Sequence, residues 1–122
     1  MNWTLDKSRP ICPQICELIC VSVASGEFAA GEKLLSVRDI ALLAGVNPNT
    51  VQKSFEELER LGVIHSVLCS GWYVNENNDA AEKELRTLRI RKTQEYLAAM
   101  SQLGCDTNAI VNFINEHLGG NK

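Results

Sequence analysis

The sequence predicts a mainly α-helical chain with one small β-hairpin. Three observations carry this. Residues 35–60 hold two short helical patterns separated by caps and a glycine. Residues 63–74 hold two β-branched or aromatic runs on either side of Cys69, Ser70 and Gly71. From Ala80 onward the apolar residues return to helical spacing.

Taken in order, residues 1–9 read as a polar lead-in. Pro10 and Pro13 fall in a first helical turn, where their missing amides have no intrahelical partner. Ile11, Ile15, Leu18, Ile19 and Val23 then predict a helix to about Gly26. Glu27 to Gly31 is a loop, and Lys33–Leu34 a short extended stretch leading to Ser36. Ser36 with Asp39 forms a capping box, in which the hydroxyl accepts an amide of the first turn and the carboxylate can return the bond. Val37, Ile40, Ala41, Leu43 and Ala44 are expected on the inner face. Gly45 stops the helix, because glycine enters the left-handed region without steric cost.

Asn47 and Pro48 restart the chain as a helix, Asn as N-cap and Pro at the first helical position. Val51, Phe55 and Leu58 point inward at i, i+4 and i+7. Asn49, Thr50, Gln52 and Lys53 are left outward, near the positive end of the helix. Small Ala41 allows the two helices to approach closely. A short helix, a tight turn with glycine and a second helix with an amide- and hydroxyl-rich tip form a helix-turn-helix, ending at Leu61–Gly62. The plainer alternative is a helical hairpin with solvated polar residues, but caps, turn, small residue and tip all agree on the first reading.

The hairpin of Val63–Val67 and Trp72–Val74 directly follows this three-helix unit, which makes it a winged helix-turn-helix. Asn75 to Asp79 is polar and aperiodic and marks a boundary, dividing the chain into a DNA-binding domain over 1–75 and a C-terminal region over 76–122. A long helix from Ala80 carries Ala81, Leu85, Leu88, Tyr96, Leu97 and Met100, and Gly104 breaks it. Asp106 or Thr107 caps a last helix with Ile110, Val111, Ile114 and Leu118, closed by Gly119–Gly120. Two such helices cannot bury their apolar faces on each other alone. The expectation is a homodimer through an isologous interface, the alternative a monomer in which both fold back on the winged domain.

The 122 residues suit one small domain with an appendage, and no apolar run approaches the roughly 18 residues a membrane span needs. No secretory signal pattern opens the chain, and five cysteines do not make a disulfide framework, so a cytoplasmic home is expected. No phosphate loop, Ser/His/Asp grouping or catalytic carboxylate pair is present. No enzyme class and no cofactor are therefore indicated. Net charge is −3, and residues 1–74 carry six basic against eight acidic side chains. A polyanion-binding surface must thus be local, with Glu56, Glu57 and Glu59 turned away late in the second helix of the motif.

Cys12, Cys16 and Cys20 recur every fourth residue along the first helix. They either bind a soft metal or sense oxidation, or serve as small apolar residues beside the buried face. A rise of roughly 1.5 Å per residue places the outer pair about 12 Å apart, which disfavours three ligands on one ion. His65 and His117 share no metal-ligand spacing and read as structural or solvated. Arg86, Arg89, Arg91 and Lys92 form a basic run on the long helix, read as a solvated face rather than a contact with DNA or an acidic partner.

One resemblance spans residues 10–74. Pro10-Ile11, Gln14-Ile15, Ser25-Gly26-Glu27, Gly31-Glu32-Lys33-Leu34, Ser36-Val37-Arg38, Gly45-Val46-Asn47-Pro48-Asn49-Thr50-Val51-Gln52-Lys53 and Leu58-Glu59 with Leu61-Gly62 resemble the GntR family of bacterial transcription regulators. The tail resembles the YtrA-type subgroup, whose C-terminal part is two dimerisation helices. The 48 residues after Val74 are too few to enclose a metabolite pocket in one subunit. The resemblance implies a homodimer on a palindromic double-stranded operator, usually repressing transcription and in this subgroup often of transporter genes. By position it implies Arg38 on phosphate or a guanine edge, Ser36 on phosphate, and Asn49, Thr50, Gln52 and Lys53 as the reading tip. Gly71 is the wing's surviving family glycine. Leu35 replaces the usual Pro, and the wing lacks the Arg residues that relatives carry at 67–68, so weaker affinity and a shallower salt dependence are expected. Leu68 and Trp72 would then meet a partner or pack on the body. The leading reading is a sequence-specific DNA-binding regulator; the alternative, suggested by the acidity and apolar wing, is a winged-helix protein-interaction module.

Overall fold

The computed structural model describes residues 1–118. They form helices α1 (Ile11–Ala24), α2 (Val37–Ala44) and α3 (Pro48–Leu61), strands β1 (Ile64–Val67) and β2 (Gly71–Val74), and helices α4 (Asp79–Gln102) and α5 (Thr107–His117). Two compact units result, Met1–Arg86 and a second from Thr87 onward.

The first unit is built around α3, against which α1, α2 and β1 pack. The inward residues Val51, Phe55 and Leu58 have no exposed surface, and Ile15, Ile19, Ile40, Ile64 and Val74 close the core around them. The Phe55 ring meets Trp72 edge-on, centroids 5.4 Å apart, so Trp72 packs on the body of the unit while Leu68 stays 92% exposed. β1 and β2 pair antiparallel from Ile64–Val74 to Val67–Gly71. The stretch before α2 adds to the free edge of β2. Gly31 N–H donates to Val74 O, Val74 N–H to Glu32 O and Leu34 N–H to Trp72 O, with Lys33 opposite Tyr73. Ala81 and Leu85, in the first two turns of α4, are also buried in this unit.

Three features differ from the sequence expectations. Leu43 is 62% exposed and Leu42 more so, leaving Ile40, Ala41 and Ala44 as the buried side of α2. An eight-residue helix that packs chiefly on α3 buries only a narrow stripe. The lead-in is not wholly polar in role, since Trp3 is buried and the Met1 ammonium pairs with Glu27 at 3.2 Å. Gln14 ties this segment to α1, donating to Asp6 O and Pro10 O while accepting from Asp6 N–H. Ser54, which stands between Lys53 and Phe55, is fully buried. Its hydroxyl donates to Thr50 O and, at 3.5 Å, to Cys12 O.

The cysteine stripe faces that serine. The Cys16 thiol donates to Ser54 O where α1 packs on α3, and Cys20 is fully buried. Among the described residues no group of three His, Cys, Asp or Glu could hold a metal ion. Burial pushes the Cys16 thiol far up and the Cys20 thiol up to about 12 from 9.0, with Glu84 and Glu17 adding to the latter. Since the thiolate is the reactive form, Cys16 and Cys20 should resist a thiol reagent in the native protein and react only on unfolding, while exposed Cys69 reacts at once. The same shift sets a stability trend. The folded pKa lies above the unfolded one, so the contribution of Cys20 is whole below pH 9 and is lost as pH rises toward 12, which a denaturation series in alkaline buffer would record.

In the second unit, Gly104 adopts φ +85° between the helices and Asp106 caps α5 by accepting from Ala109 N–H at 2.9 Å. Among its described residues only Ile110 is buried. Tyr96, Leu97, Leu103, Val111, Phe113 and Ile114 are all more than 40% exposed. The expected stop at Gly119–Gly120 lies outside the described residues. No described helix is long and apolar enough to cross a membrane.

Candidate nucleic-acid interface

The tip of α3 is set by its caps. Gly45 takes φ +68°, and Val46 N–H returns to Ala41 O, ending α2. Asn47 then accepts from Asn49 N–H at 2.7 Å, and Pro48 opens the next helix. Ser36 accepts from Asp39 N–H at 3.0 Å at the start of α2. Two helix N-termini are thereby fixed, each a favourable place for an anion.

The structure gathers the predicted residues on these two starts. Ser36 and the exposed Arg38 sit at the beginning of α2. Asn49 and Lys53 are exposed on the first turns of α3, with Thr50 and Gln52 half-buried between them. Gln52 Nε2 donates to Glu56 Oε2 at 3.0 Å, so its amide is held by an i, i+4 neighbour in the free protein. Gly71 lies apart from them, at the outer end of β2 with φ +142°.

The hairpin has a direction relative to α3. At its root, Asn75 Nδ2 donates to Gly62 O and Val63 N–H to Leu58 O. Further out, Ser66 donates to Glu59 Oε2, and Trp72 meets Phe55. Moving toward the hairpin tip is therefore moving toward the N-terminus of α3. The turn closes with Cys69 at φ +62° and Ser70 N–H on Val67 O, and Ser70 bonds the Tyr73 hydroxyl.

Charge is sorted along the same axis. Of the six cations in residues 1–74, Arg9 is paired with Asp6 and Arg60, near the far end of α3, with Glu57. The hydrogen bond from Arg60 holds the Glu57 carboxyl below its usual range and raises the guanidinium in return. Lys7, Lys33, Arg38 and Lys53 have no ion-pair partner among the described residues. Lys7 was not apparent from sequence. Its ammonium lies over Gly45, 3.4 Å from where a Cβ would stand, at the C-terminal end of α2 where a cation is favoured. Nothing local in the sequence signals that approach, whereas the Gln52–Glu56 pair follows from helical spacing. His65 bonds Asn75 and stacks on Tyr73, and His117 bonds Phe113 O.

A capped helix pair with a polar, partly unpaired cationic tip and a hairpin advancing beside it defines a winged helix-turn-helix protein. The description of the gntR family of bacterial regulatory proteins matches residues 13–74, and the chain belongs to that family. It is 33% identical over 105 residues to the HTH-type transcriptional regulator YhcF of Bacillus subtilis (strain 168), covering 85% of this chain and 86% of that protein. It is 41% identical over 90 residues to the HTH-type transcriptional repressor YtrA of the same organism, covering 74% and 69%. A GntR family transcriptional regulator from Listeria monocytogenes shares the fold with a TM-score of 0.78 and 33% identity, over 92% of this chain and 98% of that one. The chain is thus a YtrA-type transcriptional regulator with a DNA-binding winged helix.

Proposed function

We propose that the protein is a homodimeric repressor that binds a palindromic operator in the bacterial cytoplasm. In this reading residues 1–75 contact DNA and residues 76–122 pair the subunits. Asn49, Thr50, Gln52 and Lys53 enter the major groove, with Gln52 leaving Glu56 to pair with a base edge, adenine by preference. Arg38 binds phosphate or guanine, Ser36 adds a hydroxyl to phosphate, and Gly71 lets the wing run close to the duplex. The observation that carries the reading is the sorting of charge: Arg38 and Lys53 lie unpaired at the helix starts, while Arg60 is neutralised by Glu57 at the opposite end of α3. The exposed apolar residues of α4 and α5 support pairing, and the repressor role follows the name of the YtrA relative. Nothing in this role requires catalysis or a cofactor.

Selection of binding sites from random duplexes tests it. The expected result is an enriched inverted repeat; no enrichment at low salt contradicts the proposal. On the selected site, Arg38→Ala and Lys53→Ala should each weaken binding by about 1–3 kcal/mol, or roughly 5- to 150-fold. Unchanged affinity in both would refute the roles assigned to them.

A further inference from the structure

The wing tip of this chain is Val67-Leu68-Cys69-Ser70, with no charge to meet a phosphate. The fold supplies one from another strand. Residues 31–34 run antiparallel along the outer edge of β2, and Lys33 stands opposite Tyr73. Tyr73 in turn stands opposite His65 in β1, and the two rings stack. Lys33, Tyr73 and His65 therefore form one row on the face of the sheet turned away from Phe55, because Trp72, the next residue of β2, is the one that meets that ring.

From that row the Lys33 side chain runs diagonally toward the tip and crosses Gly71. Its Cε lies 3.2 Å, and its Nζ 3.9 Å, from where a Gly71 Cβ would be. Gly71 is two residues nearer the tip than Tyr73, so the ammonium is carried toward the end of the hairpin that advances with the N-terminus of α3. A side chain at position 71 would occupy the path of the lysine stem. Lys33 is exposed and has no ion-pair partner among the described residues.

We propose that Lys33 is the wing's phosphate-contacting residue, laid across Gly71 to deliver from the preceding strand the positive charge that the hairpin tip lacks. This rests on the DNA-binding reading above and adds to it a residue outside the helix-turn-helix. The role of Gly71 becomes indirect: it leaves room for the lysine rather than touching DNA alone. The contact is with backbone and carries no base preference, since an ammonium on a flexible stem acts as a point charge.

The test measures affinity by fluorescence anisotropy on the duplex selected by the wild-type protein, across a salt series, for wild type, Lys33→Gln and Lys33→Arg. Removing one phosphate contact should lower the magnitude of the slope of log affinity against log salt by about 0.9. Lys33→Gln should show that decrease and weaken binding to the selected site and to an unrelated duplex alike. Lys33→Arg should keep the wild-type slope. If wild type binds and Lys33→Gln keeps its slope, the inference fails and the wider reading stands. A loss confined to the selected sequence would assign Lys33 to a base edge and overturn the phosphate role. Failure of the wild type to select any DNA would overturn both.

Discussion

Ile114→Asp or Leu97→Asp is expected to leave the first unit folded, to convert the protein to a monomer and to lower operator affinity by about 10²–10⁴-fold. Both side chains lie in the second unit with more than 40% of their surface exposed. Burying an aliphatic side chain of this size contributes about 1.5–3 kcal/mol, and several neighbours are in the same condition. A carboxylate in their place would have to be desolvated without a partner, which reverses the sign of that contribution. The effect on DNA binding is larger than the loss of any single base contact. With two tips joined, the second half-site is bound at the effective concentration set by the tether, and avidity of that order disappears when the tether is cut. Sedimentation equilibrium and anisotropy on full and half operators would check it. A variant that remains dimeric, or a monomer with undiminished affinity for the full operator, contradicts the dimerisation role of the tail.

Phe55→Ala is the second large effect, and it acts on stability. Phe55 has no exposed surface and stands between the helix-turn-helix and the wing, with Trp72 edge-on to its ring. Truncation of a buried phenylalanine costs about 3–5 kcal/mol, a large part of the roughly 5–15 kcal/mol that holds a domain folded. The aromatic pair adds about 0.5–1.5 kcal/mol to what is lost. Urea denaturation followed by tryptophan emission should show a lower midpoint with an unchanged slope. A loss below about 1 kcal/mol would mean that α3 and the hairpin are not held together through this residue.

Much of the fold was legible because its signals are local. Ser36, Gly45, Asn47 and Pro48 each act within a turn of themselves, and each performs the capping or stopping role its chemistry suggests. Val51, Phe55 and Leu58 obey a period that a single helix imposes. Less was legible where partners decide. Leu43 shares the helical spacing of Ile40 and Ala44 but stays mostly exposed, because α2 packs chiefly on α3 and buries only a narrow stripe. Trp3 is buried although its neighbours are polar, since the lead-in lies back on the unit. The cysteine spacing is real, yet its meaning depended on Ser54 across the interface. In the candidate site, the membership of the α3 tip followed from sequence, whereas the approach of Lys7 to Gly45 and the passage of Lys33 over Gly71 needed coordinates.

The most direct test of the central claim is methylation protection on the selected operator, read at guanine N7 in the major groove and at adenine N3 in the minor groove. The account predicts two symmetric patches of major-groove protection, both weakened together by Thr50→Ala with Gln52→Ala while phosphate contacts persist. Protection in the minor groove alone, or a single asymmetric patch indifferent to Thr50 and Gln52, would contradict it.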